Sequence, residues 1–141
     1  MCLYSKQILP RRATKDIICY KAMYKNIRST GIVYVSPYKG FIIPATEFGK
    51  VYNARGDYKE YYRQRIFSCG KYCFIARIGK GYFHAYKFDH DAVIATGFTG
   101  ILGPDKRVIK CIIPKGALYW NGTAADICAT EMIFVEEMYV R

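Results

Sequence analysis

The sequence has no apolar run long enough to cross a bilayer. Stretches such as Val33 to Val35 and Cys111 to Ile113 fall far short of the roughly 18 residues a spanning helix needs. The opening Met1-Cys2-Leu3-Tyr4-Ser5-Lys6-Gln7 carries no apolar h-region, so no secretion signal is expected. Histidine is scarce, with two in the chain, and only His84 or His90 could serve a Ser-His or Cys-His pair. Nothing near either marks a nucleophile elbow. Gly79 and Gly81 do not make a phosphate loop, and both the Walker pattern and the dinucleotide fingerprint are missing. The adjacent acids Glu136 and Glu137 point to opposite faces of any strand and cannot share a substrate. No complete catalytic motif remains. The chain is expected to bind rather than to catalyse, and to need no cofactor.

Acids are the other shortage. Lysine and arginine total 22 against 11 acids, a net charge of +11. The surplus is lopsided. Residues 1–88 hold 17 basic and 4 acidic side chains, whereas residues 89–141 hold 5 and 7. A lopsided basic chain presents a positive face, and positive faces attract polyanions without regard to sequence.

What is present is apolar and aromatic: 52% hydrophobic residues and 14 tyrosines in 141 residues. That is enough material for one domain with a true core. Of the six cysteines, most sit in or beside apolar runs, as in Ile17-Ile18-Cys19-Tyr20 and Lys110-Cys111-Ile112-Ile113. A reduced, buried cysteine behaves there as a small hydrophobe. Free thiols and a cytoplasmic setting are expected.

Along the chain, residues 1–15 read as a basic arm carrying Lys6, Arg11, Arg12 and Lys15 and interrupted by Pro10, with a single domain over 16–141. Asp16 to Tyr24 alternates and predicts a strand, as does Gly31 to Val35. Asp57 with Glu60 has capping-box spacing, and the stripe Tyr58, Tyr61, Tyr62, Ile66 predicts a helix to about Phe67. Tyr72 to Ile78 and Tyr82 to Phe88 predict a hairpin across Gly79-Lys80-Gly81. Asp89 caps a short helix through Ala95, Arg107 to Ile113 is a strand stopped by Pro114, and Thr123 with Asp126 suggests a helix over 124–130. Glu131 to Val140 is a last strand. The sum is an α+β fold, a largely antiparallel sheet of about seven strands with two or three short helices.

Two constellations invite chemistry. Cys69, Cys73, His84 and His90 read C-x3-C-x10-H-x5-H, near zinc-finger spacing, although the strand-like alternation at His84 to Phe88 argues against a finger helix. Rings also interleave with cations, at Tyr38-Lys39 and across Lys80 to Lys87, a pattern that stacks bases and meets phosphates. The opposing reading is that strand tyrosines pack half in the core.

Met1-Cys2-Leu3, Lys15-Asp16-Ile17-Ile18-Cys19-Tyr20-Lys21, Ser36-Pro37-Tyr38-Lys39-Gly40-Phe41, Gly81-Tyr82-Phe83-His84, Val108 to Gly116 and Glu131-Met132-Ile133-Phe134 together resemble small proteins of gut Bacteroides-type bacteria and their phages. That resemblance implies an accessory role such as blocking host defence, by sequestering a nucleotide-derived signal in a bacterial cytoplasm. A fainter resemblance is to ADP-ribosyltransferase-like folds. It implies the order Lys21, Phe83 to Tyr86, then Glu131 around a dinucleotide, with lysine in place of the usual Arg or His and no Ser-Thr-Ser.

The expected function is therefore non-catalytic binding of a phosphate-bearing ligand, above all a nucleotide. The expected site comprises Lys21, Tyr38, Lys39, His84, Tyr86, Lys87, Lys115, Trp120 and Glu131. Nucleic acid and an acidic host protein are the alternative partners. A membrane is not expected, and oligomeric state is left open.

Overall fold

In the computed structural model, residues 3–5, 9–36, 42–54, 61–68, 70–78, 82–98 and 105–138 are described; for 3–4, 61–68, 71–77 and 95–98 only the backbone is. The architecture is mainly β, which overturns the α+β expectation. The strands are β1 (Leu3–Ser5), β2 (Arg11–Arg12), β3 (Ile17–Arg28), β4 (Gly31–Val35), β5 (Ile42–Pro44), β6 (Val51–Asn53), β7 (Tyr61–Ser68), β8 (Lys71–Ile78), β9 (Phe83–Tyr86), β10 (Lys106–Ile113), β11 (Leu118–Asn121), β12 (Asp126–Ala129) and β13 (Glu131–Met138). Among the described residues, one α-helix, α1 (Asp89–Phe98), and a 3-10 turn at Ala45–Glu47 complete the set. No helix among them is long and apolar enough to cross a membrane.

A ten-stranded antiparallel sheet runs β2-β11-β12-β9-β3-β10-β13-β6, with β4 on β3 and β5 on β4; a three-stranded sheet runs β1-β8-β7. The two helices expected over 58–67 and 124–130 are not formed. Tyr61–Ser68 is a strand, paired with β8 from Tyr61↔Ile78 to Ser68↔Lys71 and turned at Gly70, φ 75°. Aromatic and β-branched residues there satisfy a strand as well as a helix, and the long ladder decides. Asp57 and Tyr58 to Glu60 lie outside the described residues. The hairpin expected between Tyr72 and Phe88 is also redistributed: β8 pairs β7 and β1, while β9 pairs β12 and β3. Within the basic arm, Leu3–Ser5 and Arg11–Arg12 are strands, on β8 and β11 respectively.

At Asp126 the capping signal is used by a turn instead of a helix. The Ala124 N–H donates to the Asp126 carboxylate at 3.3 Å and the Gly122 N–H to the Asp126 carbonyl at 2.9 Å. A Cβ on Gly122 would overlap that carboxylate. Gly122→Ala is expected to destabilise by about 1–2 kcal/mol in chemical denaturation, because overpacking displaces the carboxylate from its donor. Combined with Asp126→Ala, the Gly122→Ala loss should vanish, the signature of a direct clash.

Side chains on paired strands alternate between two faces. The first face carries Cys19, Lys21 and Met23 of β3, opposite Cys111, Ile109 and Arg107 of β10. It holds the main core, which includes Tyr34, Ile43, Phe83, Ile127, Met132 and Phe134. The Phe83 and Phe134 rings lie 6.1 Å apart edge to face, although their strands are three positions apart in the sheet. Three spacings in a flat sheet are about 14 Å. The sheet therefore curls around this face. The second face is the outer one, and α1 packs on it across β3, β10 and β9; Ala92 of α1 and the partners Ala22 and Val108 are buried.

Candidate functional site

The N-terminal segment 11–16 is stitched to the β10–β11 turn. The Ala13 N–H donates to the Ala117 carbonyl at 2.8 Å, and the Gly116 N–H donates to the Ala13 carbonyl at 2.8 Å. The Arg12 guanidinium donates to the Gly116 carbonyl at 2.7 Å, and the Lys115 N–H to the Asp16 carboxylate at 2.8 Å. Gly116 sits at φ 92°, the left-handed conformation that lets Pro114-Lys115-Gly116 reverse the chain. Arg11, Arg12, Lys15 and Lys115 are all exposed at this corner, with Arg11 and Arg12 on the two opposite faces of the short edge strand β2. Asp16 is the acid among them, and its carboxylate is already engaged by a backbone donor.

The other expected site residues separate. Lys21 is 6% exposed on the inner face, where its ammonium donates to the His84 carbonyl at 2.7 Å. β3 and β9 share a single ladder pair, Tyr20↔Tyr86, so Lys21 supplies a donor where that ladder does not continue. Burial pulls the Lys21 pKa below the ordinary lysine value, against the influence of Cys111, Cys128 and Cys19. The same burial raises the thiols, Cys19 to about 12 and Cys111 and Cys128 well above their usual range. These three free cysteines are buried, protonated core residues.

Trp120 is 3% exposed and packs with Ile78, Cys128 and Tyr82 in a second cluster, its ring centroid 5.3 Å from that of Tyr82. His84 shares the outer face with Cys128, and its Nε2 is 3.9 Å from the Cys128 Sγ. Tyr86 ends β9 and Lys87 follows it, both half-buried, with the Lys87 N–H donating to the Ala125 carbonyl at 2.7 Å. Glu131 is half-buried at the start of β13. Following the register from Ile133↔Ile112↔Ile18, it lies on the outer face, opposite to Lys21. The order Lys21, Phe83 to Tyr86, Glu131 therefore does not converge. Tyr38 and Lys39 lie outside the described residues.

Of the metal set, Cys69 lies outside the described residues and Cys73 is described by its backbone alone, on β8. His90 is exposed at the start of α1, beside Asp89 and Asp91. Among the described residues no group of three or more His, Cys, Asp or Glu is placed to hold a metal.

Two cations elsewhere are paired, Lys25 and Arg107. Glu137 accepts from Lys25 at 3.0 Å and from the Tyr34 hydroxyl at 3.1 Å, and pairs with Arg107 at 2.8 Å. Burial alone would raise Glu137, but these donors and charges outweigh it and hold the carboxyl below its usual range. Burial, then the Glu137 contact, pushes Tyr34 up to about 12. Arg11, Arg12 and Lys15 were visible in the sequence as part of an arm. Their meeting with Lys115, about a hundred residues on, was not.

No family model, curated protein or solved structure matches this chain.

Proposed function

We propose that the chain is a non-catalytic binding protein that holds a phosphate-bearing partner on the corner formed by Arg11, Arg12, Lys15 and Lys115. The observation that supports this reading is the stitching of segment 11–16 to the β10–β11 turn. It presents four exposed cations from a hydrogen-bonded backbone, with one carboxylate between them that is already engaged. Such a surface neutralises phosphates and releases their counterions, and no bond is made or broken.

Three of the tyrosines are engaged by other rings inside the fold and offer no stacking platform. Tyr34 is buried against Phe48, Tyr52 packs on Phe134, and Tyr82 on Trp120. A partner with repeated phosphates, a nucleic-acid backbone, therefore suits the corner better than a single nucleotide. In a phage-encoded setting, such binding would serve as an accessory, anti-defence activity.

The test is fluorescence anisotropy with a short DNA duplex over a range of salt, beside mono- and cyclic nucleotides. Four phosphate contacts predict a slope of log K against log salt of about −3.6. A slope near zero with tight binding of one nucleotide would overturn the reading in favour of an enclosed pocket.

A further inference from the structure

β7 is the last strand of the three-stranded sheet, and among the described residues no strand pairs its far edge. The other terminal strands, β1, β2, β5 and β6, are two or three residues long, whereas β7 has eight. Folds commonly blunt their sheet edges by keeping them short, and a long open edge is a template for a further strand. The ladder to β8 fixes which backbone groups that edge offers. Ser68 and Lys71 pair across two intervening residues, the spacing of a two-residue hairpin, whose closing pair exchanges both of its hydrogen bonds. Ile66, Gln64 and Tyr62 repeat that bonding along β8 at alternate positions. The N–H and C=O groups of Tyr61, Arg63, Arg65 and Phe67 therefore point to the open edge.

We propose that this edge takes up an extended, acidic segment of a partner protein as a fourth strand, antiparallel to β7, with two carboxylates at alternate positions. β1, β7 and β8 together carry Arg63, Arg65, Lys71 and Arg77 and no acid. Arg63 and Arg65 are two residues apart on one strand, so they share a face. Their cross-strand neighbours in an added strand are likewise two residues apart and on that same face. Acids at those two positions stand opposite the two arginines, while the segment's backbone exchanges hydrogen bonds with the same two residues.

Charge complementarity selects this occupant over a second copy of the chain. An antiparallel copy of β7 pairs outward-bonding residues with outward-bonding residues. Every register that keeps both arginines within the paired strands then sets an arginine opposite an arginine, and like charges directly opposite destabilise a ladder. The cations that block self-pairing are the ones that favour an acidic strand. Main-chain hydrogen bonds would hold any extended segment, and the arginines decide which one.

The probe is a short synthetic peptide with Glu-Val-Glu between Thr-Val-Thr ends, added to the full chain at about 0.15 M salt. Hydrogen exchange should show the Arg63 and Arg65 amides fast in the free protein and slowed about tenfold or more by saturating peptide. The Tyr62, Gln64 and Ile66 amides should be slow in both states. Methylating the two glutamate backbone nitrogens of the peptide, which face β7, should abolish binding. Methylating the nitrogen of the valine between them, which faces away, should leave binding intact. Replacing Glu-Val-Glu by Gln-Val-Gln should weaken binding about five- to tenfold, through the loss of two cross-strand charge pairs. Arg63→Glu combined with Arg65→Glu should lose this peptide and gain a Lys-Val-Lys counterpart, a result that a misfolded variant cannot give. Arg63 and Arg65 amides already protected in the free chain overturn the proposal, as does a wild-type chain that leaves the acidic peptide unbound at millimolar concentration. So does binding indifferent to which nitrogen is methylated, protection that arises from self-association without peptide, or displacement of the peptide by an equal concentration of DNA duplex.

Discussion

Reversing three cations of the β2 corner together, Arg11→Glu, Lys15→Glu and Lys115→Glu, should weaken binding to a short DNA duplex by about 10²- to 10³-fold at 0.1 M salt. The estimate comes from the loss of three phosphate contacts, each worth about an eightfold change at that salt concentration. Arg12 is left in place because its guanidinium holds the Gly116 carbonyl and hence the turn. The three altered side chains are exposed, so the melting temperature should move little. The salt slope is the sharper readout. It should fall from about −3.6 to about −0.9, since one contact of four remains. If the slope holds while affinity drops, the substitutions have disturbed the fold or another surface carries the phosphates.

The second large effect lies at Lys21. Lys21→Met is expected to raise stability at neutral pH by about 1–3 kcal/mol. Burying an ammonium costs several kcal/mol, more than the about 1–3 kcal/mol lost when the His84 carbonyl gives up its donor. The pH dependence identifies the cause. Burial sets the folded-state pKa of Lys21 below 10.5. Between that value and 10.5 the unfolded chain binds more protons than the folded one, so the Lys21 contribution rises with pH through the window. The advantage of Lys21→Met over the wild type should be full below the window and shrink across it. Denaturant titrations of both proteins at matched pH values read this difference directly, and shifts at Tyr34 and Tyr52 cancel between them. An advantage that stays constant with pH up to about 10.5 would show that Lys21 keeps its proton when folded, so that burial does not lower its pKa.

The same residue shows where sequence reading reached its limit. Lys21 was expected in a binding site because a cation among rings and strands suits a phosphate. In the fold it shares the inner face with Cys19 and Met23, and parity along β3 carries it into the core. Trp120 met the same fate beside Cys128 and Ile78. Cys19, Cys111 and Cys128, expected as reduced, buried residues among apolar neighbours, are free and buried.

Elements with an unambiguous period were legible. β3, β4, β10 and β13 stand near their expected places, and α1 begins at Asp89 as its cap predicts. Residues 61–68 were not, because Tyr, Ile and Phe at those positions satisfy a helical stripe and a pleat alike. The ladder to β8 selected the strand, and ladders are non-local.

By itself, the sequence determined most of the alternating strands and the positive surplus of the first two-thirds. Both follow from composition and short-range order. Which cations share a corner, which lysine is buried, and which strand edge is left open among the described residues were decided only in the tertiary structure. The reason is that strand register couples residues a hundred positions apart, and a shift of one residue turns every side chain to the other face.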